Sequence, residues 1–222
     1  KRVTGVQTCA LPISLASPGD LSIRLTAPVK GPVEAAEARL DRIVRAIDRA
    51  LGPYIYSRDG SSLEAVVGGL LRSRGLTIAC AESCTGGLIA SRITDVPGSS
   101  AYFLESAVTY GDRSKTRRLG VPKALIERHG AVSAAVARAM AAGIRRTSGA
   151  GLGLAVTGVA GPGGGTASKP VGLVYIALAR ARGTAVTRSL FFGSREDVKF
   201  QSSQKALDLV RKSLTPARGK PL

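Results

Sequence analysis

The stretch "GSSAYFLESAVTYGDRSK", which begins at Gly98, contains three side chains whose chemistry could hydrolyse a bond. Ser100 offers a hydroxyl nucleophile, Tyr110 a phenol and Lys115 an amine, and no imidazole lies near them in the sequence. Serine hydrolases that lack a histidine base use other groups, such as lysine, to accept the serine proton. We therefore consider a nucleophilic site made of Ser100, Tyr110 and Lys115.

The proton acceptor and the nucleophile of such a site each have an alternative. The chain has one histidine, His129, which ends a predicted helix and is typical there of packing or capping. A lysine accepts a proton only when it is neutral, so Lys115 must be desolvated or lie near other positive charge. Cys84 is a rival nucleophile, because it lies at a predicted helix N-terminus, where the pKa of a thiol falls.

The motif "AESCTGG" lies between a predicted strand and a predicted helix. Ser83, Thr85, Gly86 and Gly87 bring hydroxyls and a permissive backbone to a helix N-terminus, where unpaired N–H groups can bind an anion or an oxyanion. An ordinary N-cap with a tight turn explains the same residues without a ligand. We predict substrate contacts from these four residues and keep the capping interpretation open.

Two further segments are candidates for substrate binding. Thr157 and Gly158 end the apolar run "GLGLAVTG", just before a glycine-rich loop, and ligands collect at the carboxyl ends of strands in open α/β sheets. The loop lacks the lysine and hydroxyl of a P-loop, and a plain surface loop is the alternative. Arg195 lies in the first turn of the last predicted helix, where an anionic ligand would offset its unfavourable dipole interaction; a solvated arginine is the alternative.

The elements that must position these residues alternate between strands and helices. Ser61 and Glu64 have capping-box spacing ahead of a helix, Ser133 precedes another helix, and Ser194 with Asp197 opens the last one. The segments "LTIACA", "GLGLAVTGVA", "VGLVYIALA" and "AVTRSLFFG" are predicted strands, and near-continuous apolar runs are typical of strands covered on both faces. This pattern predicts a layered α/β domain with helices on both faces of the sheet.

The N-terminal part of the chain has a different character. Residues 1–14, "KRVTGVQTCALPIS", show no clear period and resemble translated sequencing-adapter sequence, so we set them aside as a non-native segment. Residues 20–27 alternate as a strand, a helical pattern follows Pro32, and "YIYS" is predicted as a second strand. We therefore expect a small βαβ-like fragment over residues 15–58 and the main domain over residues 59–222.

Composition limits the classes of function. Lys and Arg number 32 against 15 acids, for a net charge of +17, yet the basic residues are scattered and lack interleaved aromatics. We therefore expect no specific nucleic-acid binding. Three cysteines and one histidine predict no disulfide framework and no metal site. No apolar run reaches the roughly 18 residues of a membrane span, and no signal peptide is evident, so a cytoplasmic protein without membrane contact is expected.

Several longer motifs together resemble one known family. The segments "AESCTGGLIASRITDVPGSSAYF", "LGVP", "RHGAVS", "TGVAGPGGGT" and "KPVGLVYIALA" are similar to the C-terminal domain of the CinA family, the nicotinamide-nucleotide amidases. The resemblance covers about residues 61–214, and residues 15–57 look like the tail of the middle region of longer members. It implies a three-layer α/β/α sandwich with a mixed sheet.

The resemblance also implies an activity and a set of residues. Family members deamidate nicotinamide mononucleotide to nicotinate mononucleotide and ammonia, without a cofactor. By resemblance Ser100 is the nucleophile, Tyr110 and Lys115 handle the proton, and Ser83 and Thr85 match the residues at the helix start. Where members often read "YSNEAK", this chain reads "YGDRSK". A non-catalytic nucleotide-binding or partner-interaction module is the alternative, and a homodimer is an expected assembly.

Overall fold

The computed structural model describes residues 11–17, 19–29 and 31–215. The chain divides between Arg58 and Asp59 into two compact units. The second unit contains all the candidate site residues.

The first unit is a β-hairpin followed by a helix. Strands β1 (Leu11–Ser17) and β2 (Asp20–Thr26) pair antiparallel, and helix α1 (Val33–Leu51) continues into a 3₁₀ turn (Gly52–Tyr54). The βαβ expectation is wrong, because both strands precede the helix. The set-aside residues 11–14 belong to β1, whereas residues 1–10 lie outside the described residues. The "YIYS" segment forms no strand, because the N–H of Ile55 donates back to the carbonyls of Leu51 and Gly52 at 3.2 and 3.3 Å.

The second unit is a five-stranded sheet between two layers of helices. The sheet order is β4-β3-β5-β6-β7, with β3 parallel to β4 and β5, and β6 and β7 antiparallel. Helix α6 crosses one face with α4 and α5 beside it, and α2, α3 and α7 pack on the other. The predicted three-layer α/β/α sandwich with a mixed sheet is confirmed. In chain order the elements are α2 (Leu63–Ser73), β3 (Ile78–Glu82), α3 (Leu88–Thr94), β4 (Phe103–Val108), α4 (Asp112–Leu119), α5 (Lys123–His129), α6 (Ala134–Ser148), β5 (Leu152–Gly158), β6 (Leu173–Arg180), β7 (Gly183–Leu190) and α7 (Arg195–Leu214).

Local sequence explains where these helices begin. Ser133 and Ser194 cap α6 and α7 as predicted, and Ser194 forms a reciprocal capping box with Asp197. Helix α2 begins one residue later than predicted, since Ser62 rather than Ser61 accepts the N–H of Ala65, at 3.3 Å.

The two faces of the sheet differ in side-chain size. Strand residues alternate between faces, and the positions toward α6 are small: Ala79, Ala81, Gly153, Ala155, Ala177 and Ala179. A β-carbon on Gly153 would collide with the backbone carbonyl of Ala141 in α6, so this helix lies close against the sheet. The opposite face carries larger buried residues such as Ile78, Leu154 and Ile176. Because the residues on this face are small, α6 packs close to the sheet. The loop that precedes α6 is therefore held near the ends of the parallel strands.

Candidate active site

A cavity of about 190 Å³ lies at the carboxyl ends of the parallel strands β4, β3 and β5. Since parallel strands end at the same edge of a sheet, their following loops converge there. The loop before α6 and the first turn of α7 complete the wall. The lining residues are Ser83, Cys84, Tyr110, Asp112, Lys115, Ala131, Val132, Thr157, Gly158, Ala160 and Arg195.

Ser83 directly follows β3 and is held by its backbone. Its N–H donates to the carbonyl of Val156 on β5 at 3.0 Å, and its own carbonyl accepts from Gly86 N–H at 3.1 Å. Gly86 and Gly87 have φ angles of +63° and +97°, a region that glycine adopts without steric cost. The chain therefore turns sharply after Ser83, and the Ser83 side chain, 8% exposed, borders the cavity.

A buried carboxylate fixes this turn from behind. Glu82 is fully buried and accepts three backbone N–H groups, from Gly87, Ile89 and Ala90, at 3.0, 3.1 and 2.9 Å. A carboxylate at a helix N-terminus satisfies donors that otherwise lack partners and interacts favourably with the helix dipole. Glu82 thus caps α3 and fixes the turn that begins at Ser83, three residues before Gly86.

Lys115 is the buried base candidate of the cavity. Its side chain is 1% exposed, and its ammonium donates to the backbone carbonyl of Tyr110 at 3.0 Å. Burial lowers the pKa of Lys115, while the nearby Asp112 carboxylate, 3.5 Å from the ammonium, acts to raise it. Desolvation outweighs this partly exposed carboxylate, so the neutral amine is reached at lower pH than for an ordinary lysine.

Tyr110 and Arg195 form the exposed rim of the cavity. The Arg195 guanidinium donates to the phenol oxygen of Tyr110 at 2.8 Å and to the carbonyl of Gly161 at 2.7 Å. Because the phenol oxygen accepts this bond, the phenol proton stays available to another acceptor. Arg195 thus orients Tyr110 and keeps further N–H groups for an anionic ligand.

The remaining polar groups of the wall are committed or unreactive. The hydroxyl of Thr157 donates to the carbonyl of Ala131 at 3.0 Å, which joins β5 to the loop before α6. Burial raises the pKa of the Cys84 thiol to about 12, against the weaker opposing effect of Arg195 and Lys115. The predicted lowering of the Cys84 pKa is wrong, because burial of the thiol raises this pKa more than the backbone N–H groups of the turn lower it. Ser83 is left as the hydroxyl suited to nucleophilic attack in this cavity.

The structure does not bring Ser100 to this cavity. Ser100 is exposed in a 3₁₀ turn (Ser99–Ala101) just before β4, whereas Tyr110 and Lys115 follow the far end of the same strand. The six residues of β4 separate the two ends by about 20 Å. Within one chain, this placement separates Ser100 from Tyr110 and Lys115, with which the sequence-based prediction grouped it.

The other residues predicted to contact the substrate fall into two groups, of which only one lines the cavity. Ser83, Thr157, Gly158 and Arg195 line the cavity, whereas Thr85, Gly86 and Gly87 shape the turn beside it. His129 is not part of the wall; its carbonyl accepts from the ammonium of Lys169 at 2.6 Å. Residues that sequence reasoning missed are Asp112, Ala131, Val132 and Ala160. Of these four, only Asp112 could have been identified from the sequence, because its position three residues before Lys115 places it on the same face of the helix.

The fold and cavity define an α/β protein with a serine, a lysine and a tyrosine at the carboxyl ends of parallel strands. Residues 60–214 match the family model described as the CinA C-terminal domain. The chain belongs to the CinA family.

Relatives and solved structures agree with this assignment. A "CinA-like protein" of Geotalea uraniireducens is 50% identical over 199 residues, which are 88% of this chain and 47% of that protein. The competence/damage inducible protein CihA of Agrobacterium tumefaciens superposes with a TM-score of 0.67 at 36% identity, over 72% of this chain and 98% of its own. The competence damage-inducible protein A of Klebsiella pneumoniae superposes with a TM-score of 0.68 at 33% sequence identity, over 70% of this chain and 97% of its own. The chain spans about half the length of the full-length relatives it matches.

Within residues 11–17, 19–29 and 31–215, no helix is long and apolar enough to cross a membrane. The same part of the chain holds no cluster of three or more His, Cys, Asp or Glu side chains arranged to hold a metal ion.

Proposed function

We propose that the chain is an amidase that hydrolyses the carboxamide of nicotinamide mononucleotide, with Ser83 as nucleophile. The observation that carries the proposal is that a serine hydroxyl and a buried lysine amine, Ser83 and Lys115, line one cavity beside Tyr110. Family membership supports an amidase, and the three side chains supply a nucleophile, a base and a hydrogen-bond donor. Ser83 takes the role expected of Ser100, because Ser100 lies at the other end of β4.

Acylation begins with the Ser83 hydroxyl. Its Oγ attacks the carboxamide carbon while its proton passes to the neutral amine of Lys115, and the carbonyl becomes an oxyanion. The backbone N–H groups of Cys84 and Thr85, which directly follow Ser83 and do not bond to Glu82, donate to that oxyanion together with the phenol of Tyr110; one such donor contributes about 3 kcal/mol in other acyl-transfer enzymes. When the intermediate collapses, the C–N bond breaks and the Lys115 ammonium protonates the leaving amide nitrogen, which departs as ammonia.

Deacylation repeats these steps with water. Lys115, neutral again, accepts a proton from a water molecule, and the resulting hydroxide attacks the acyl carbon. Collapse of the second intermediate breaks the bond to Oγ, and Lys115 returns the proton to Ser83. The products are ammonia and the carboxylic acid, and the enzyme regains its starting protonation state.

Burial and charge support the choice of base and substrate. A lysine with an ordinary pKa would be almost wholly protonated at neutral pH, and burial lowers the pKa of Lys115. The cavity, at about 190 Å³, is of a size for the ring that carries the amide, and Arg195 at the rim suits an anionic substrate.

The test is ammonia release from nicotinamide mononucleotide by the purified chain. We expect equimolar ammonia and nicotinate mononucleotide, measured by a coupled assay and by mass spectrometry. The Ser83→Ala variant, purified in the same way, serves as the control for contaminating amidases. Nucleotide binding without ammonia release by the wild-type protein would contradict the proposal and favour a non-catalytic nucleotide-binding module.

A further inference from the structure

Helix α7 carries a second cation near the cavity, Lys199, one turn after Arg195. Residues four apart on a helix share a face, with β-carbons about 6 Å apart. Arg195 reaches the loops after β4 and β5, through Tyr110 and Gly161. Lys199 reaches the turn after β3, since a β-carbon placed on Gly86 would lie 3.9 Å from its ammonium. This face of α7 therefore presents positive charge to the loops that follow all three parallel strands.

Lys199 lacks a counter-charge in the described part of the chain. Its side chain is half-buried, and it forms no ion pair or hydrogen bond with any described residue, including Glu196 three residues earlier. Further along the same helix, Lys212 pairs with Asp208 at 2.7 Å. An ammonium that shares a helix face with Arg195 and has no carboxylate partner is available to an anionic ligand.

The size of the cavity indicates where such an anion would lie. At about 190 Å³ the cavity is smaller than the roughly 300–1,000 Å³ of typical ligand sites. A mononucleotide whose amide-bearing ring fills it must leave its ribose phosphate outside. Arg195 stands at the rim, and Lys199 lies one helical turn beyond it, next to the Ser83–Gly87 turn.

We propose that Lys199, together with Arg195, forms a subsite for the phosphate monoester of the substrate, an inference that rests on the function proposed above. Arg195 supplies a planar pair of donors and Lys199 a compact charge, a combination suited to a phosphate dianion. The subsite makes the enzyme select a nucleotide over its nucleoside, because the nucleoside leaves the Lys199 ammonium without a partner.

The experiment compares nicotinamide mononucleotide with nicotinamide riboside, which lacks the phosphate. For Lys199→Met we expect the KM of the mononucleotide to rise about tenfold, as for the loss of one charged hydrogen bond, with kcat within about twofold. The kcat/KM for the riboside should not change. Lys199→Arg should retain most of the affinity, and Lys205→Met, which removes an exposed lysine from the same helix, is the matched control.

The outcomes separate this inference from the proposed function. Equal losses on both substrates, or a Lys199→Met variant that behaves like Lys205→Met, overturn the subsite even if deamidation is found. If the wild-type protein releases no ammonia, titration calorimetry with ribose 5-phosphate decides instead. Loss of that binding in Lys199→Met but not in Lys205→Met supports the subsite; equal binding by both variants, or none by the wild-type protein, overturns it.

Discussion

Two turns of this domain present a serine, one after β3 and one before β4, and their surroundings differ. Ser83 lies in a turn fixed by the buried Glu82 carboxylate and faces a cavity with a buried lysine. Ser100 lies in an exposed 3₁₀ turn at the opposite edge of the sheet. Since β3 and β4 are parallel, residues that follow the two strands meet, whereas residues at the two ends of β4 do not. Strand direction therefore places Ser83, and not Ser100, at the cavity that Lys115 lines.

The largest expected effect tests this contrast directly. Ser83→Ala should lower kcat by about 10⁴-fold or more, because the nucleophile is lost and only binding and oxyanion stabilisation remain. Ser100→Ala is the matched variant, and its kcat/KM should stay within about twofold of the wild-type value. Steady-state ammonia release measures both. An inactive Ser100→Ala enzyme beside an active Ser83→Ala enzyme would reverse the assignment.

The second prediction concerns the group that accepts the serine proton. Lys115→Met removes the base and should lower kcat by about 10²–10⁴-fold, the range typical of general acid–base groups. Tyr110→Phe keeps the base and removes one donor, so its loss should be smaller. Because burial lowers the pKa of Lys115, wild-type kcat/KM should rise with pH through a pKa below the ordinary 10.5.

The fold of Lys115→Met should survive, since the variant removes a desolvated charge. Equal melting temperatures measured by circular dichroism would establish that. A larger loss for Tyr110→Phe than for Lys115→Met would make the phenol the proton acceptor, with Lys115 remaining charged beside it.

Sequence patterns predicted the architecture of the main domain well, for identifiable physical reasons. Long apolar runs such as "GLGLAVTG" mark strands buried on both faces, and capping residues such as Ser133 and Ser194 mark helix starts. The "YIYS" segment failed because a β-propensity run needs a neighbouring strand. The N–H of Ile55 donates back to the end of α1 instead.

The site was predicted in its parts but not in its grouping. Tyr110, Lys115, Thr157 and Arg195 were identified and do line one cavity, whereas Ser100, which shares a stretch of sequence with Tyr110 and was assigned as nucleophile by the family resemblance, does not. Nearness along the chain does not encode the direction of a strand. The rule that ligands gather at strand carboxyl ends favours Ser83, and that was the usable signal. Ala131 and Val132 reach the cavity only through the packing of α6, which no local pattern reports.

A smaller effect is expected from Asp112, where this chain departs from the "YSNEAK" pattern. Its carboxylate lies 3.5 Å from the Lys115 ammonium and acts to raise the pKa of that lysine. Asp112→Asn should therefore lower the Lys115 pKa further and move the rising limb of the pH–rate profile to lower pH. At neutral pH the rate should increase a few-fold, because the Asp112 carboxylate is largely exposed and solvent screening limits its effect to less than about 1 kcal/mol.

Glu127→Gln is the control for this change. It removes a carboxylate from another exposed pair, with Lys123 at 3.4 Å, that does not border the cavity. Its pH–rate profile should match that of the wild-type protein. A limb that stays in place, or moves to higher pH, in Asp112→Asn would show that Lys115 is not the group that titrates.

The smallest effect is expected at Cys84, which lines the cavity beside Ser83 but is only 4% exposed. Burial raises the pKa of its thiol from 9.0 to about 12, so about one molecule in 10⁵ carries a thiolate at pH 7. Cys84→Ala should therefore keep kcat/KM within about threefold. Native alkylation by iodoacetamide at pH 7, followed peptide by peptide by mass spectrometry, should leave Cys84 as slow to react as the fully buried Cys80. Rapid alkylation of Cys84 that abolishes activity, with an inactive Cys84→Ala variant, would make the thiolate the nucleophile and leave Ser83 as its neighbour in the turn.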